Sequence, residues 1–346
     1  MENKKRVGVI GAGSFGTAIA QLISENENVL LYARNNDLVK QINATHQHLG
    51  VTLKKNIEAT NDPQFLAEHC TLIFPIVPSE NFRSMVKTFA PFLRPYHILI
   101  HGTKGFDVKE EDRPKLEDGT LDRSHVHTMS GVIEQESVVV RIGCLSGPNL
   151  SNEIMAGQPT ATLIASHYDE VFELGKKVLR GSRFQVFGSR AIVGAELAGG
   201  LKNIFAIGSG ILGGLGLGKN IQAMLITRGL VEMIYFANAF SIDKSAFLGT
   251  AGIGDLIATA TSKDSRNFTL GKRLGSGESL ADIMNTMPEL AEGVRTLKIF
   301  YHLSRKYKVR VPITQMLYRV VYEDFDVEKA LRFLIAYPYD VDVDFL

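Results

Sequence analysis

The stretch Arg6-Val-Gly-Val-Ile-Gly11-Ala-Gly13-Ser14-Phe15-Gly16-Thr17-Ala18 decides the fold. It sets three glycines in a G-x-G-x-x-G spacing between a run that predicts a strand and a segment that predicts a helix. Gly11 then permits a tight turn, Gly13 lets a pyrophosphate approach the backbone, and Gly16 allows close helix packing. Because a helix N-terminus offers unpaired N–H groups to phosphate, the stretch predicts a dinucleotide site. The alternative, a glycine-rich turn without a ligand, is disfavoured by the flanking strand and helix.

Short apolar runs alternate with helix-length segments up to about residue 190. The runs are Arg6–Ile10, Val29–Ala33, Leu72–Val77, Ile98–His101, Ile142–Leu145, Ala161–Ala165 and Phe184–Phe187. This alternation predicts an α/β domain with a doubly wound, mainly parallel, Rossmann-like sheet, in which the last three runs form a second half. Pro75 lacks the N–H that a central strand needs, so we expect a bulge or a sheet edge beside it.

Helical patterns replace these runs after residue 190. The main candidates are Gly194–Leu212, Ile221–Phe240, Gly293–Tyr307, Ile313–Tyr322 and Val327–Leu334, and Pro312 is well placed to open its helix. We therefore predict a dinucleotide-binding domain over residues 1–190 and an all-helical substrate and catalytic domain over residues 191–346. The charged stretch Val108–Ser130 is expected to be a surface excursion, and its His125 and His127 lack the partners of a metal site.

Composition excludes several classes of protein. The chain has 346 residues, of which 45% are hydrophobic and 22% charged, with a net charge of +1. This near-neutral balance argues against nucleic acid as a partner, and no apolar stretch is long enough to span a membrane. The two cysteines, Cys70 and Cys144, fall in predicted strands and offer neither a disulfide framework nor a zinc site. We expect a cytoplasmic protein without an apolar leader.

Arg34 follows the second predicted strand, where an acidic residue commonly binds the ribose 2′-hydroxyl. An arginine there can pair with a 2′-phosphate, so NADP is favoured or at least tolerated. The alternative is that Arg34 only ends a strand at the surface.

Lys202 and Asn203 interrupt a helix of small and apolar residues. A buried ammonium is costly without a partner, so such a lysine has either a chemical role or an ion pair. Glu196 and Asp255 are the candidate partners for a purely structural pair.

A second polar group follows the turn Gly252-Ile-Gly254-Asp255. Ser265, Arg266 and Asn267 offer hydroxyl, guanidinium and amide donors that suit a phosphate. A solvated surface cluster is the alternative.

Taken in order, the motifs of nearly the whole chain resemble the bacterial NAD(P)-dependent glycerol-3-phosphate dehydrogenases. They are Gly11–Ala18, Gly102-Thr-Lys104-Gly105, Ser146-Gly-Pro-Asn149, Gly157–Ala161, Glu196–Asn203, Thr227-Arg228-Gly229, Gly252–Leu256 with Ser265-Arg266-Asn267, Ala291-Glu292-Gly293 and Val311–Thr314. The resemblance implies reversible reduction of dihydroxyacetone phosphate to sn-glycerol 3-phosphate with NADH or NADPH, which supplies phospholipid synthesis.

The resemblance also implies roles for individual residues. Lys202 is the general acid–base, Lys104 lies close to substrate and cofactor, and Asp255 and Asn203 position the site. The substrate phosphate pocket is expected at Ser265, Arg266 and Asn267, with Gly147 and Asn149. The cofactor positions are Gly11, Gly13, Ser14, Phe15, Gly16, Arg34, Lys104, Ser151, Arg266, Leu290 and Glu292. Phe15 and Gly102 stand where the family commonly has Trp and Ala, so we expect altered contacts and unchanged chemistry.

Two other functions stay open at this point. One is a related β-hydroxyacid or sugar-phosphate dehydrogenase with the same kind of catalytic lysine. The other is a redox sensor that binds a dinucleotide without turnover. We further expect a homodimer, a small-molecule substrate and no metal, whereas the sequence does not decide between NADH and NADPH or reveal any feedback control.

Overall fold

The chain folds into two compact units in the computed structural model, which describes residues 6–287, 291–338 and 341–342. One unit comprises Met1–Asp107 and Thr128–Ile192, and the other comprises Val108–His127 and Val193–Leu346. The predicted domains, 1–190 and 191–346, stay a proposal. The compact units differ from them chiefly in where Val108–His127 belongs.

The strands and helices follow in chain order. The strands are β1 (Arg6–Ile10), β2 (Asn28–Tyr32), β3 (Gln47–His48), β4 (Val51–Thr52), β5 (Ile57–Thr60), β6 (Cys70–Pro75), β7 (Ile98–His101), β8 (Asp107–Val108), β9 (Val126–His127), β10 (Arg141–Ser146), β11 (Thr160–Ser166) and β12 (Phe184–Ser189). The helices are α1 (Ser14–Ile23), α2 (Asn36–Thr45), α3 (Pro63–His69), α4 (Ser79–Phe89), α5 (Arg113–Glu117), α6 (Met129–Glu136), α7 (Ser151–Met155), α8 (Asp169–Leu179), α9 (Ile192–Gly214), α10 (Lys219–Ala239), α11 (Asp255–Thr261), α12 (Arg266–Gly275), α13 (Leu280–Thr286), α14 (Glu292–Lys306), α15 (Pro312–Tyr322) and α16 (Val327–Ile335).

The first unit is built on one eight-stranded sheet in the order β12-β11-β10-β7-β6-β1-β2-β5. All neighbours run parallel except β10 and β11, so the predicted mainly parallel sheet is confirmed. All seven predicted runs are strands of this one sheet. The edge strand β5 was missed because it is short and its Glu58 breaks the apolar pattern.

The strand order explains why the glycine-rich turn lies where a ligand can reach it. β1 pairs with β2 on one side and with β6 on the other. The chain therefore adds strands first on one side of β1 and then on its other side, so the strand order reverses at β1. The carboxyl ends of the strands at such a switch point form the crevice in which open α/β sheets bind ligands.

Our expectation for Pro75 was wrong. β6 is a central strand, and Pro75 is its last residue, paired with Ile10. The register shift lies at the opposite end of β6, opposite Arg6 and Val7. A proline is tolerated at this strand end, where its carbonyl accepts a hydrogen bond from the Gly102 N–H at 3.0 Å.

From Val193 onward the described part of the second unit is helical, as predicted, and the five predicted helices are present as α9, α10, α14, α15 and α16. Glu232 on α10 fixes the start of α15, since its buried carboxylate accepts hydrogen bonds from the N–H groups of Ile313 and Thr314 and from the Thr314 hydroxyl. Burial raises the pKa of Glu232 to about 7. Among the described residues, no helix is long and apolar enough to cross a membrane.

The stretch Val108–Ser130 is not the surface excursion that we expected. Val108, Leu116 and Leu121 are buried, which means that the segment contributes to a core. Its α5 ends at Glu117, which forms an ion pair with Lys298 of α14. The apolar residues of this segment are too widely spaced among charges to predict their burial.

Candidate active site

The glycine-rich turn needs glycine at two positions for steric reasons. Gly11 has a φ of +116°, and a Cβ atom there would lie 2.0 Å from the carbonyl oxygen of Ile76. A Cβ on Gly16 would lie 1.9 Å from the carbonyl oxygen of Gly11. A side chain at Gly11 would push the turn away from the segment after β6, and one at Gly16 would push α1 away from the turn.

Gly13 is different, because a Cβ on this residue would meet nothing within 4 Å. Gly13 is exposed and is the N-cap of α1, and no side chain caps the helix. The first-turn N–H groups of α1 and the positive end of its dipole therefore face open space beside Gly13 and Ser14. These residues fit the pyrophosphate of a dinucleotide.

Arg34 lies beyond the carboxyl end of β2, the strand next to β1, and is exposed. The following Asn35 caps α2 by accepting hydrogen bonds from the N–H groups of Asp37 and Leu38. The guanidinium thus stands on the same edge of the sheet as the glycine-rich turn. Its contact with a 2′-phosphate stays a prediction.

Phe15, Lys104 and Gly147 gather at this edge within the first unit. A Cβ on Gly102 would lie 3.0 Å from Cε1 of Phe15, so the aromatic ring packs closely over that glycine. Glycine at position 102 therefore leaves room for the aromatic ring of Phe15. Lys104 is half-buried, and its Nζ donates to the carbonyl oxygen of Gly147 at 2.8 Å.

Asn149 and Ser151 follow the carboxyl end of β10 on the same loop. The Asn149 side chain donates to the carbonyl oxygen of Ala161 at 3.2 Å and accepts from the Thr162 hydroxyl at 2.8 Å. It thereby ties this loop to β11. Ser151 is half-buried at the start of α7.

In the helical unit Lys202 is buried against two side chains from α11. Its Nζ donates to Oδ1 of Asp255 and, at 2.5 Å, to Oγ1 of Thr259. Lys202 and Asp255 are only 5% and 1% exposed. One of the two ion pairs considered from the sequence, Lys202 with Asp255, is therefore present.

The surroundings of Lys202 are those of a group that can exchange a proton. A buried amine beside a carboxylate and a hydroxyl can hold a proton or release it, depending on what else approaches. Asp255 and Thr259 lie four residues apart on α11, which places both on the face that meets Lys202.

Asn203, Asn267 and Gly293 form a second buried contact, which joins α9, α12 and α14. Nδ2 of Asn267 donates to Oδ1 of Asn203 at 3.0 Å, and Oδ1 of Asn267 accepts from the Gly293 N–H at 2.9 Å. A Cβ on Gly293 would lie 2.5 Å from Oδ1 of Asn267 and 2.8 Å from the carbonyl oxygen of Asn203. Only glycine allows this close approach.

Ser265 and Arg266 lie at the N-terminus of α12. Ser265 is the N-cap, and its hydroxyl accepts from the Phe268 N–H at 3.2 Å. Arg266 is the exposed first residue of the helix, next to the buried Asn267. Guanidinium, amide and helix-terminus donors are thus adjacent, which is an arrangement suited to a phosphate.

The structure thus brings the predicted residues together within each unit. In the first unit they are Gly11, Gly13, Ser14, Phe15, Gly16, Arg34, Lys104, Gly147, Asn149 and Ser151, and in the second they are Lys202, Asn203, Asp255, Ser265, Arg266 and Asn267. Glu292 is half-buried in the first turn of α14, next to Gly293. Leu290 lies outside the described residues.

The sequence reasoning assigned no role to Thr259 and missed the contact made by Gly293. The four-residue spacing between Asp255 and Thr259 was the available signal for the first. His125 is used in a capping contact, where its Nδ1 accepts from the Asp122 N–H at 2.9 Å. Within the described part of the chain, no three side chains of the metal-ligating types group together.

Comparison with known proteins gives the same assignment over both units. Residues 6–172 match the model for the N-terminus of NAD-dependent glycerol-3-phosphate dehydrogenase, and residues 191–332 match the model for its C-terminus. The chain is 36% identical to glycerol-3-phosphate dehydrogenase [NAD(P)+] of Teredinibacter turnerae, covering 99% of this chain and 98% of that protein. The Pseudomonas putida enzyme of the same name is 35% identical over 100% of this chain and 98% of its own length.

Solved structures agree with this result. The crystal structure of glycerol-3-phosphate dehydrogenase from Coxiella burnetii superposes with a TM-score of 0.85 at 29% identity, covering 96% of this chain and 99% of that one. The glycine-rich turn, the buried Lys202–Asp255 pair and these full-length matches lead to one conclusion: the chain belongs to the NAD-dependent glycerol-3-phosphate dehydrogenase family.

Proposed function

We propose that this protein catalyses the reversible, NAD(P)H-dependent reduction of dihydroxyacetone phosphate to sn-glycerol 3-phosphate, and so supplies the glycerol backbone of phospholipids. The observation that carries the proposal is the buried contact of Lys202 with Asp255 and Thr259 on a helix whose next residue, Asn203, contacts Asn267. A proton-transfer group and donors for a phosphate are therefore built into one helical unit.

Lys202 is the general acid–base of the proposal. Its ammonium donates a proton to the carbonyl oxygen during reduction, and its neutral amine accepts the hydroxyl proton in the reverse direction. The bound nicotinamide cofactor supplies or accepts the hydride. Asp255 holds the ammonium by its charge, and Thr259 accepts a second N–H from Nζ, so that two contacts fix the position of the amine. Asn203 positions the site.

The substrate phosphate is bound by Ser265, Arg266 and Asn267. An asparagine amide has two N–H donors, and Asn203 receives one from Asn267, so the second is the donor offered to the phosphate. Lys104, Gly147 and Asn149 are the other proposed substrate contacts. The positive charge of Lys104, whose Nζ donates to the Gly147 carbonyl oxygen, also offsets phosphate charge.

The cofactor is proposed to lie along the turn Gly11–Gly16, with its pyrophosphate at the N-terminus of α1 and its 2′-group at Arg34. Phe15, Lys104, Ser151, Arg266, Leu290 and Glu292 are the remaining proposed cofactor contacts. NADPH is favoured or at least tolerated because of the exposed Arg34, and NADH is the other proposed cofactor.

We also propose that the protein acts in the cytoplasm as a homodimer. Cys70 and Cys144 are buried, and burial raises the pKa of the Cys70 thiol to about 12, which keeps it unreactive. Sedimentation velocity tests the dimer: a single species of twice the chain mass supports it, and a monomer over the whole concentration range contradicts it.

The experiment for the reaction compares dihydroxyacetone phosphate with 3-hydroxy acids as substrates of the purified protein. We expect NADPH oxidation with dihydroxyacetone phosphate and NADP⁺ reduction with sn-glycerol 3-phosphate. Turnover of the hydroxy acids alone would identify the related β-hydroxyacid class, and dinucleotide binding without any turnover would identify a sensor.

A further inference from the structure

A cavity of about 370 Å³ that opens to solvent beside the exposed Met224 and Ile335 lies in the helical unit, and none of the proposed active-site residues lines it. It is walled by α9, α10, α15 and α16, and neither Lys202 nor Asp255 lines it. Small-molecule sites range over roughly 300–1,000 Å³ and are mostly apolar with a few polar groups. This cavity has the size and the character of such a site.

The cavity wall is dominated by aliphatic side chains such as Ile211, Leu225, Leu317 and Leu331. Contacts of this kind bind a hydrocarbon chain, because burial removes both surfaces from water. The hydroxyl of Thr227, which also lines the cavity, donates to the carbonyl oxygen of Ala223 at 3.0 Å and is satisfied within α10.

Charge in the wall is concentrated in one ion pair. Among the cavity residues that the structure describes, Arg228 and Asp342 are the charged ones. Nη2 of Arg228 lies 3.2 Å from Oδ1 of Asp342, and the Arg228 side chain is 17% exposed whereas that of Asp342 is 82% exposed. Nη1 of Arg228 donates to the Asp342 carbonyl oxygen at 2.6 Å.

We propose that this cavity binds a single-chain amphiphile with an anionic head group, such as a carboxylate. The chain lies among the aliphatic side chains, and the anion pairs with Nη2 of Arg228 in place of the Asp342 carboxylate. Separating Arg228 from the Asp342 carboxylate costs little free energy, because ion pairs with exposed carboxylates contribute little to stability. The guanidinium has five N–H donors, so Nη1 keeps its bond to the Asp342 carbonyl during the exchange.

The Arg228 charge distinguishes this ligand class from others. The guanidinium would repel a cationic amphiphile, and a neutral amphiphile would gain only the apolar contacts. The proposal is independent of the reductase activity, because it rests on residues that have no part in the mechanism above.

The test is isothermal titration of the full-length protein with decanoate, and with decanol as a neutral ligand of equal chain length. We expect decanoate to bind with one-to-one stoichiometry and to raise the Tm. Arg228→Gln should weaken decanoate about tenfold or more, because a charge-assisted bond is lost. Asp342→Asn should tighten decanoate about two- to fivefold, because it removes the competing carboxylate. Both substitutions should leave the affinity for decanol unchanged.

Ala330→Phe places a ring in the cavity and should abolish binding of both ligands, with thermal unfolding as the check that the variant folds. If it does not fold, the opposite effects of Arg228→Gln and the exposed Asp342→Asn decide. The proposal is overturned if decanoate does not bind, if Arg228→Gln binds it like the unmodified protein, or if folded Ala330→Phe still binds it. Absence of binding together with an altered sedimentation coefficient in Ala330→Phe would assign the cavity to a second copy of the chain.

Discussion

Asp255→Asn removes the charge that faces Lys202 while keeping nearly the same side-chain shape. Lys202 and Asp255 are 5% and 1% exposed, so little water is available to stabilise an ammonium that loses this carboxylate. Breaking a buried ion pair by removing one partner costs about 3–5 kcal/mol if the other charge stays. The amine avoids that cost by giving up its proton, which leaves reduction without its acid.

The expected kinetic effect follows from the size of general acid catalysis, which is about 10²–10⁴-fold. We expect Asp255→Asn to lower kcat for dihydroxyacetone phosphate reduction by about 10²-fold or more near neutral pH. Lowering the pH should restore part of the rate, because protonation returns the ammonium. A merely structural loss would give no such recovery.

The assay follows NADPH oxidation over a pH series, with dinucleotide binding and thermal unfolding measured on the same samples. Glu278→Gln is the matched control, since it neutralises a carboxylate that is paired with Arg273 but is 43% exposed. It should leave kcat unchanged. An Asp255→Asn enzyme with the unmodified rate and pH profile would refute the reasoning.

Four further substitutions test the cofactor site and the start of α15. Arg34→Asp should raise the KM for NADPH far more than that for NADH, and equal effects would show that Arg34 does not contact the 2′-phosphate. Gly13→Val should raise the KM for the dinucleotide without lowering the Tm, because a Cβ at this position meets nothing within 4 Å. Gly16→Ala should lower the Tm, because its Cβ would lie 1.9 Å from the Gly11 carbonyl oxygen. A Gly13→Val variant with an unchanged KM would argue against the pyrophosphate site. Glu232 has a folded-state pKa of about 7 against an ordinary 4.5, so the folded chain keeps a proton that the unfolded chain releases between these values. Stability should therefore fall as pH rises through this window, by about 3 kcal/mol at most. Glu232→Gln should reduce this pH dependence of the free energy of unfolding, measured by urea unfolding at pH 4.5 and pH 7. A variant with the same pH dependence as the unmodified protein would show that Glu232 does not cause it.

Much of the fold could be predicted because its central strands are buried on both faces and are therefore continuous apolar runs. The glycines of the first turn and Pro312 at the start of α15 could also be interpreted, because the backbone conformations that glycine and proline favour predict a turn and a helix start. The edge strand β5 carries a weaker pattern because it has only four residues and the exposed Glu58 interrupts them, and α13 does so because only Ile283 of this helix is buried. The role of the Val108–His127 segment could not be predicted either, since its packing depends on partners such as Lys298, far along the chain.

The site was predictable to a similar extent and for related reasons. A lysine in an apolar helix requires a partner, so the pairing of Lys202 with Asp255 could be anticipated although 53 residues separate them. The only sequence signal for Thr259 was its four-residue spacing from Asp255, and its contact with Nζ of Lys202 becomes visible only in the structure. The need for glycine at 293 becomes visible only when Asn267 and Asn203 are seen to approach its α-carbon.

Lys202→Ala removes the amine that is proposed to transfer the proton. NADPH affinity, measured by fluorescence titration, and turnover of dihydroxyacetone phosphate should be determined on one preparation. The account predicts that the affinity is retained while kcat falls by about 10³-fold. Turnover close to that of the unmodified enzyme would contradict it.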